Sequence, residues 1–368
     1  MTTVQLQRLT RNYGDQLVLD ALCLNVESGS YLVLLGPSGC GKTTTLRIIA
    51  GLEQPDGGEV VFDGANVTTV PPRKRDVSMV FQQDGLYPHL NVGQAIRFAL
   101  RGRCPASEIN DRFRDAVALT GVDALLEQFP SQLSGGELRR AAIASAIAKR
   151  TAVRLLDEPL SALDVAVRQG LQDDILRWHR SVPGTTIHVT HDGREAMRVA
   201  DRIAVMDGGR IVQFGIPADV FDQPETVAVA KSIGIPVINW IEAELIDGVI
   251  FFNEAAIKAL PSFRVNAQNQ SLLVGVRPDA FCPCFSEQDG TIGGGIVTQA
   301  SLQECRVVES RLQLRVHAGR VGLTVLTDQD VSSQLPPIGG SLELLVEREK
   351  VHVFSKSSGR RVKVSDVG

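Results

Sequence analysis

Apolar and polar positions divide the chain into stretches of different period. Val4-Gln5-Leu6-Gln7 and Leu22-Cys23-Leu24-Asn25-Val26 alternate, so residues 4 to 35 read as antiparallel strands leading into the solid apolar run Tyr31-Leu32-Val33-Leu34-Leu35. Thr44-Thr45-Leu46-Arg47-Ile48-Ile49-Ala50 then reads as a helix with Gly51 at its C-terminal end. A turn cluster from Glu53 to Glu59 opens short strands that run to Val80-Phe81. Between residues 91 and 150 no strand pattern occurs. Ile109, Phe113 and Val117 recur at i+4 on an otherwise charged segment, which predicts an amphipathic helix, and small residues from Leu138 to about Lys149 predict another. Val153-Arg154-Leu155-Leu156 and Ile187-His188-Val189-Thr190 read as buried parallel strands, with a helix between them whose apolar stripe is Leu163, Val167, Leu171, Ile175 and Trp178. A charge inside a strand is costly in a core, so Arg154 is expected at an edge or snorkelling. Beyond about residue 236 the chain turns β-rich: Leu312 to Val316 alternates strictly, and Ser271 to Val276 and Leu342 to Val346 are strand-like.

The pattern therefore predicts an α/β domain over residues 1–235, with antiparallel β and helical parts (a helical insertion at about 85–150), and a β-rich domain over 236–368. A length of 368 residues suits two domains, and 43% hydrophobic against 22% charged residues is the balance of a soluble globular chain. No run approaches the roughly 18 apolar residues of a membrane helix. The N-terminus, Met1-Thr2-Thr3-Val4-Gln5, lacks the charged-then-apolar plan of a signal peptide, so a cytosolic protein is expected, recruited by a partner if it works at a membrane. A formal charge of −4, with a slightly acidic tail, argues against nucleic acid as a partner. The six cysteines are scattered; Cys282-Pro283-Cys284 is their one close pair, a weak metal signal beside the reading as free thiols.

Candidate chemistry begins where the Tyr31–Leu35 strand meets Gly36-Pro37-Ser38-Gly39-Cys40-Gly41-Lys42-Thr43, a complete P-loop in the strand-loop-helix setting that the motif requires. Glycines let backbone N–H groups turn inward around phosphate oxygens, and the helix presents its positive end to the same anion. Lys42 would reach the β- and γ-phosphates, and Thr43 would place its hydroxyl on Mg²⁺. Asp157 and Glu158 stand at the C-terminal end of a parallel strand, where ligand groups of open α/β sheets lie; Asp157 would hold Mg²⁺ through water and Glu158 polarise the attacking water. Gln82, at a strand end, can ligate a metal, orient a water or cap a loop. His191, also at a strand end, can meet a γ-phosphate or be structural. Tyr13 is a stacking platform for a purine or a turn tyrosine. Leu133-Ser134-Gly135-Gly136-Glu137 places a second serine-glycine turn at a helix start, either a plain N-cap or a second anion site. One subunit cannot bring both turns to one nucleotide if the insertion projects from the sheet. A two-fold dimer, each copy closing its Ser134 turn on the nucleotide of the other, answers that.

In order, the P-loop, Gln82, Leu133 to Glu137, Leu155-Leu156-Asp157-Glu158, Ser161-Ala162-Leu163-Asp164 and Thr190-His191-Asp192 resemble the motifs of the ATP-hydrolysing subunits of ATP-binding-cassette transporters. The resemblance implies a P-loop nucleotide hydrolase core binding ATP and Mg²⁺. The P-loop through Thr44, with Ser134, Gly135, Gly136 and Asp164, would contact nucleotide. Tyr13 would stack on adenine, Gln82 sense the metal and the membrane subunit, Glu158 act as base and His191 contact the γ-phosphate. The partners implied are a second copy, two transmembrane permease subunits and, indirectly, a solute-binding protein. Pro71 to Gln82 and Leu86-Tyr87-Pro88-His89 look like the importers of maltose, other sugars and glycerol phosphate; polyamine and iron importers share much of this but more often carry Phe at Tyr87. A soluble superfamily ATPase is the other class, although its coiled-coil insertions or second cassette do not occur here. Val274 to Asp279 and Val351-His352-Val353-Phe354 are similar to the family's oligonucleotide-binding-like (TOBE-type) regulatory domain. The chain departs from the family at Glu137, where glutamine is usual, at Leu138-Arg139-Arg140, at Ser145 for an arginine, and at Phe281 to Phe285.

Overall fold

In the computed structural model, which describes residues 2–81, 86–161, 163–234, 236–259, 264–265, 267–284, 295–308, 310–362 and 364–365, the alternating N-terminal stretches pair as antiparallel strands. β1 (Val4–Tyr13) pairs with β2 (Gln16–Val26), and β3 (Tyr31–Leu35) runs into α1 (Lys42–Ala50). β4 (Gly57–Phe62), β5 (Ala65–Asn66) and β6 (Val77–Val80) follow, then three helices, α2 (Val92–Leu100), α3 (Ala106–Thr120) and α4 (Gly135–Ala148). Next come β7 (Val153–Asp157), α5 (Val165–Ser181), β8 (Thr185–Thr190), α6 (Gly193–Val199), β9 (Arg202–Asp207) and β10 (Arg210–Gly215).

Two sheets result. One is antiparallel in the order β2-β1-β4-β5; the other runs β10-β9-β3-β8-β7-β6 and is parallel except at β10. The second order decides where chemistry can occur. β8 lies between β3 and β7, with Leu35 paired to Thr190 and Asp157 to Val189, so three distant stretches of sequence end side by side at the C-terminal edge. Leu46, Ile48 and Ile49 of α1 pack with Leu34, Leu155 and Ile187 of the sheet in one buried cluster. Each such side chain contributes about 1.5–3 kcal/mol by leaving water. Gly51 ends α1 in the left-handed conformation, at φ 75°, as its position in the sequence predicts. The last carbonyls of that helix are held by buried Arg75, whose Nη1 donates to Ile48 O at 2.8 Å and Ile49 O at 2.7 Å.

Arg154 corrects the sequence reading. It is neither at an edge nor snorkelling: it is 1% exposed on β7, between β6 and β8. Its guanidinium lies 4.7 Å from the Trp178 ring centroid, and Nη2 donates to Val182 O and Pro183 O at 2.5 and 2.9 Å. The end of α5 thus supplies the acceptors that a strand pattern cannot show. Burial pulls its pKa down to about 10, which leaves it charged at neutral pH.

The chain divides into Met1–Pro217 and Ala218–Gly368, earlier than the boundary at 235 that the pattern suggests. The physical reason is a long-range contact. In α8 (Val227–Ser232), after the short helix α7 (Pro217–Asp222), buried Ala230 packs with Ile238 and Phe354 of the β-rich part, and Val227 N–H donates to Gly359 O at 2.9 Å. In this second unit the strands are β11 (Asn239–Ile246), β12 (Val249–Phe252), β13 (Ile257–Ala259), β14 (Arg264–Val265), β15 (Gln270–Val276), β16 (Cys282–Cys284), β17 (Gly295–Val308), β18 (Arg311–Ala318), β19 (Val321–Thr327), β20 (Ser341–Glu347), β21 (Val351–Ser355) and β22 (Val364–Ser365). They form two sheets, β21-β15-β11-β12-β14-β22 and β16-β20-β17-β18-β19, with β13 beside β17. Leu272 and Val274 of the first sheet and Leu314, Val316 and Leu344 of the second share one buried core, so the expected alternation places one face of each strand inside. Among the described residues no helix is long and apolar enough to cross a membrane.

His352 on β21 gives this unit a pH-dependent stability. Burial, with Arg361 and Arg277 nearby, pulls its pKa down to about 4 from an ordinary 6.5. An unfolded chain therefore binds a proton that the folded one refuses, and stability is full above pH 6.5 and lost as pH falls towards 4. The loss amounts to about 3 kcal/mol. The unfolding midpoint of the second unit, followed by calorimetry, is expected to fall more steeply across that window in wild type than in His352→Leu.

Candidate functional site

At the end of β3 the chain can turn as it does only because of its glycines. A Cβ on Gly36 would lie 2.3 Å from Met206 O, and Gly41 precedes α1 at φ 104°. Between them Pro37, Ser38 and Gly39 are exposed, and Cys40 is buried, its thiol pushed up by that burial against the pull of the Lys42 charge. Lys42 is 5% exposed. Its Nζ donates to the carbonyls of Gly36 and Pro37, each at 2.8 Å, so the ammonium is fixed within the loop. In the first turn of α1, Thr44 is buried and Thr45 Oγ1 donates back to Gly41 O at 2.9 Å.

Thr43 links this loop to the neighbouring strand ends: its Oγ1 donates to Asp157 Oδ1 at 3.0 Å. Burial pushes the Asp157 carboxyl up, and the Thr43 hydroxyl opposes that shift. Glu158 adopts φ 44°, a left-handed conformation that costs a non-glycine residue energy and that clusters at working sites. It is held there by its N–H to Val189 O at 3.0 Å and by Ser161 Oγ to its own carbonyl at 2.9 Å. Its Oε1 lies 3.2 Å from Nδ1 of His191, which is more than half exposed, whereas Glu158 is mostly covered. The hydroxyl and carboxylate oxygens of Thr43 and Asp157 are hard donors, and among the described residues no cluster of three or more His, Cys, Asp or Glu forms an all-protein metal cage. That donor set fits Mg²⁺, which takes one or two protein oxygens and completes its shell with phosphates and water.

Tyr13, Ser134 and Asp164 bond partners other than these. Tyr13 is the last residue of β1 rather than a turn residue, 44% exposed, with Arg11 over its ring at 5.0 Å and its hydroxyl bonded to Glu53. Ser134 caps α4, ahead of Gly135 and Gly136, and its bonds stay in its own turn: Glu137 Oε2 accepts from Ser134 N–H at 2.8 Å and from Oγ at 2.7 Å. Those bonds hold the Glu137 carboxyl below its usual value. Asp164 caps α5, accepting from Val167 N–H at 3.0 Å. Gln82 lies outside the described residues.

The profile of the ABC transporter family matches residues 19–161. Over 98% of the chain and 100% of the relative, 36% of residues are identical to the sulfoquinovosyl glycerol transport ATP-binding protein of Agrobacterium fabrum, and over the same shares 36% to the trehalose/maltose import ATP-binding protein of Thermococcus litoralis. An sn-glycerol-3-phosphate import ATP-binding protein of Rhizobium etli is 37% identical over 98% of this chain and 99% of its own. The chain belongs to the ATP-binding subunits of ABC transporters. Its fold has a solved counterpart in cbiO1 of Clostridium perfringens, described as part of the ABC transporter complex cbiONQ, with a TM-score of 0.55 and 28% identity over 60% of this chain and 90% of that one.

ATP hydrolysis is the reaction of such subunits, and three braces around this one escape its sequence. Buried Arg139, one turn into α4, donates from Nη1 to Phe81 O at 2.5 Å and from Nη2 to Glu158 O at 3.4 Å. His188, in the middle of β8, is 1% exposed, with Tyr31 OH 2.8 Å from Nδ1 and Glu195 Oε1 2.8 Å from Nε2. Glu195 Oε2 in turn accepts from Thr190 Oγ1 at 2.6 Å, and that hydroxyl accepts from Asp192 N–H at 3.0 Å, which ties the His191 turn to the interior of this ABC subunit. Burial alone would push the Glu195 carboxyl up; His188 and Thr190 overcome it and hold the carboxyl below its usual value. A Ser/Thr-His-Asp stretch signals none of this, because Glu195 joins it only through α6.

Proposed function

We propose that the chain is the motor of an importer for a polyhydroxylated solute, a sugar or glycerol 3-phosphate. Two copies close around two ATP molecules while docked on two transmembrane permease subunits at the cytoplasmic face of the cell membrane, and a solute-binding protein delivers the cargo. The observation that carries the reading is the placement of Glu158 beside both His191 and the Thr43–Asp157 pair. Supporting the cargo class, the relatives are named for sulfoquinovosyl glycerol, trehalose or maltose, and sn-glycerol 3-phosphate, all rich in hydroxyl groups.

In this reading the loop N–H groups and the N-terminus of α1 bind the phosphates, and Lys42 exchanges its carbonyl partners for phosphate oxygens. Glu158 takes the proton of the attacking water, with His191 holding the γ-phosphate. Thr43 and Asp157, with Gln82, hold Mg²⁺, which when bound neutralises charge on the phosphate oxygens. Tyr13 offers adenine the ring face that Arg11 leaves uncovered. Ser134, Gly135 and Gly136 of the opposite copy meet the γ-phosphate, and the Ser134 hydroxyl must leave Glu137 to do so. Asp164 belongs to the nucleotide-contacting set as well, and the second unit regulates.

Closure follows because nucleotide contacts both copies only in the closed state, so ATP favours that state by its differential affinity. In Glu158→Gln, saturating MgATP is expected to convert monomer to dimer in analytical ultracentrifugation, and Ser134→Arg added to it to block the dimer while each monomer still binds ATP. A species that stays monomeric with MgATP, even beside its membrane partners, removes the sandwich.

A further inference from the structure

Within the second unit a cavity of ≈ 420 Å³ lies where β15 ends and β21 begins, and it is lined by Arg277, His352, Phe221, Asp222, Asp279 and, from the turn before β21, Glu349 and Lys350. Its volume is in the range of small-molecule sites, about 300–1,000 Å³. The strand register explains why it forms: Gly275 pairs with His352 and Val276 with Val351, which brings residues far apart in sequence to one edge.

The polar groups here are left incomplete. Arg277 is 5% exposed; Nη2 donates to Phe221 O at 2.8 Å and the guanidinium lies 3.6 Å from the Phe221 ring centroid, yet among the described residues the buried Nε and Nη1 have no hydrogen-bond partner. His352, 3% exposed, has an Nδ1 that also finds no partner among the described residues. Buried donors are paired in nearly all proteins, and a charged donor left alone is the costliest exception, so the two Arg277 nitrogens ask for an acceptor and the His352 ring nitrogen for a hydrogen-bonding group of either sense. Charge identifies its class. Arg277 and Lys350 face three carboxylates, those of Asp222, Asp279 and Glu349, and His352 is neutral at pH 7. An oxyanion would satisfy Arg277 but meet that acidic rim. A hydroxyl accepts from the guanidinium and donates to a carboxylate at once.

We propose that this cavity binds a small polyhydroxylated molecule of monosaccharide size, whose hydroxyls accept from Arg277, hydrogen-bond His352 Nδ1 and donate to the carboxylates of Asp222, Asp279 and Glu349. The second unit is then a sensor for an internal polyol. This stands on the cavity alone and holds whether or not the transport reading does.

The test is titration of the full-length protein, without nucleotide, with D-glucose, glycerol and inorganic phosphate, followed by calorimetry and by saturation-transfer NMR. D-glucose is expected to bind saturably with a millimolar Kd, and Arg277→Met and Asp279→Asn each to weaken it at least tenfold while MgATP binding stays at the wild-type level. Asp279 and Glu349 are exposed, so Asp279→Asn and Glu349→Gln keep the test valid if Arg277→Met does not fold. Phosphate binding that depends on Arg277, with no glucose binding, overturns the polyol in favour of an oxyanion. Glucose binding untouched by Asp279→Asn and Glu349→Gln places the sugar elsewhere and overturns the site, and absence of saturable binding by all three probes means that water fills the cavity.

Discussion

Glu158→Gln is expected to lower ATP hydrolysis by about 10²–10⁴-fold, the usual contribution of a positioned general base, with MgATP affinity within a few-fold of wild type. The substitution keeps the side chain's length and its ability to bond His191, which lies 3.2 Å from Oε1, and removes only the capacity to take a proton. Backbone geometry should survive, because φ 44° at residue 158 is set by main-chain and Ser161 contacts that glutamine does not touch. A phosphate-release assay with a parallel binding titration separates the two effects. Hydrolysis at the wild-type rate would give the proton to another group and leave Glu158 as a brace for His191.

How much of this site the sequence reveals depends on how local each part is. The P-loop is contiguous, and its glycines, Lys42 and Thr43 carry their geometry with them. Asp157, Glu158 and His191 are recognisable as strand ends, but that they meet the loop follows from the order β3-β8-β7, which no single stretch encodes. The partners Arg139 and Glu195 are harder still, since each enters from a helix, α4 or α6, and nothing local in the sequence tells which strand end its buried side chain reaches. Ser134 shows the reverse case. Ser-x-x-Glu is a capping-box pattern, so the bonds between Ser134 and Glu137 are available to a local reading, while the anion site expected at the same helix start needs a nucleotide brought by a second copy.

The fold shows the same divide between local pattern and long-range packing. Alternation and apolar runs locate strands because side-chain direction is a local property. Arg154 fails that logic: its tolerance inside a parallel sheet comes from Trp178 of the following helix and from the carbonyls of Val182 and Pro183 just past its end. So does the boundary at 217, because nothing in the sequence of α8 tells which core its apolar face joins; Phe354, more than a hundred residues later, decides it. The Arg277 cavity belongs to this class too, since it exists only through the pairing of β15 with β21.

Lys42→Met is expected to weaken MgATP binding about 10²-fold and to slow hydrolysis accordingly. Methionine matches the stem of the lysine in length and apolar character, so the change isolates the ammonium. That group makes two bonds of 2.8 Å to loop carbonyls, and both would be transferred to phosphate oxygens in the complex. A bond between a charged donor and its acceptor contributes about 1.5–3 kcal/mol, and 1.4 kcal/mol is tenfold in affinity, which sets the expected loss. The free protein should lose some stability as well, because Gly36 O is buried and would be left without its donor. Calorimetric titration with MgATP, read beside the melting temperature of the unliganded variant, distinguishes a lost phosphate contact from a collapsed loop. If Lys42→Met binds MgATP as tightly as wild type, the backbone N–H groups and the α1 terminus alone hold the nucleotide, and the role given to Lys42 is wrong.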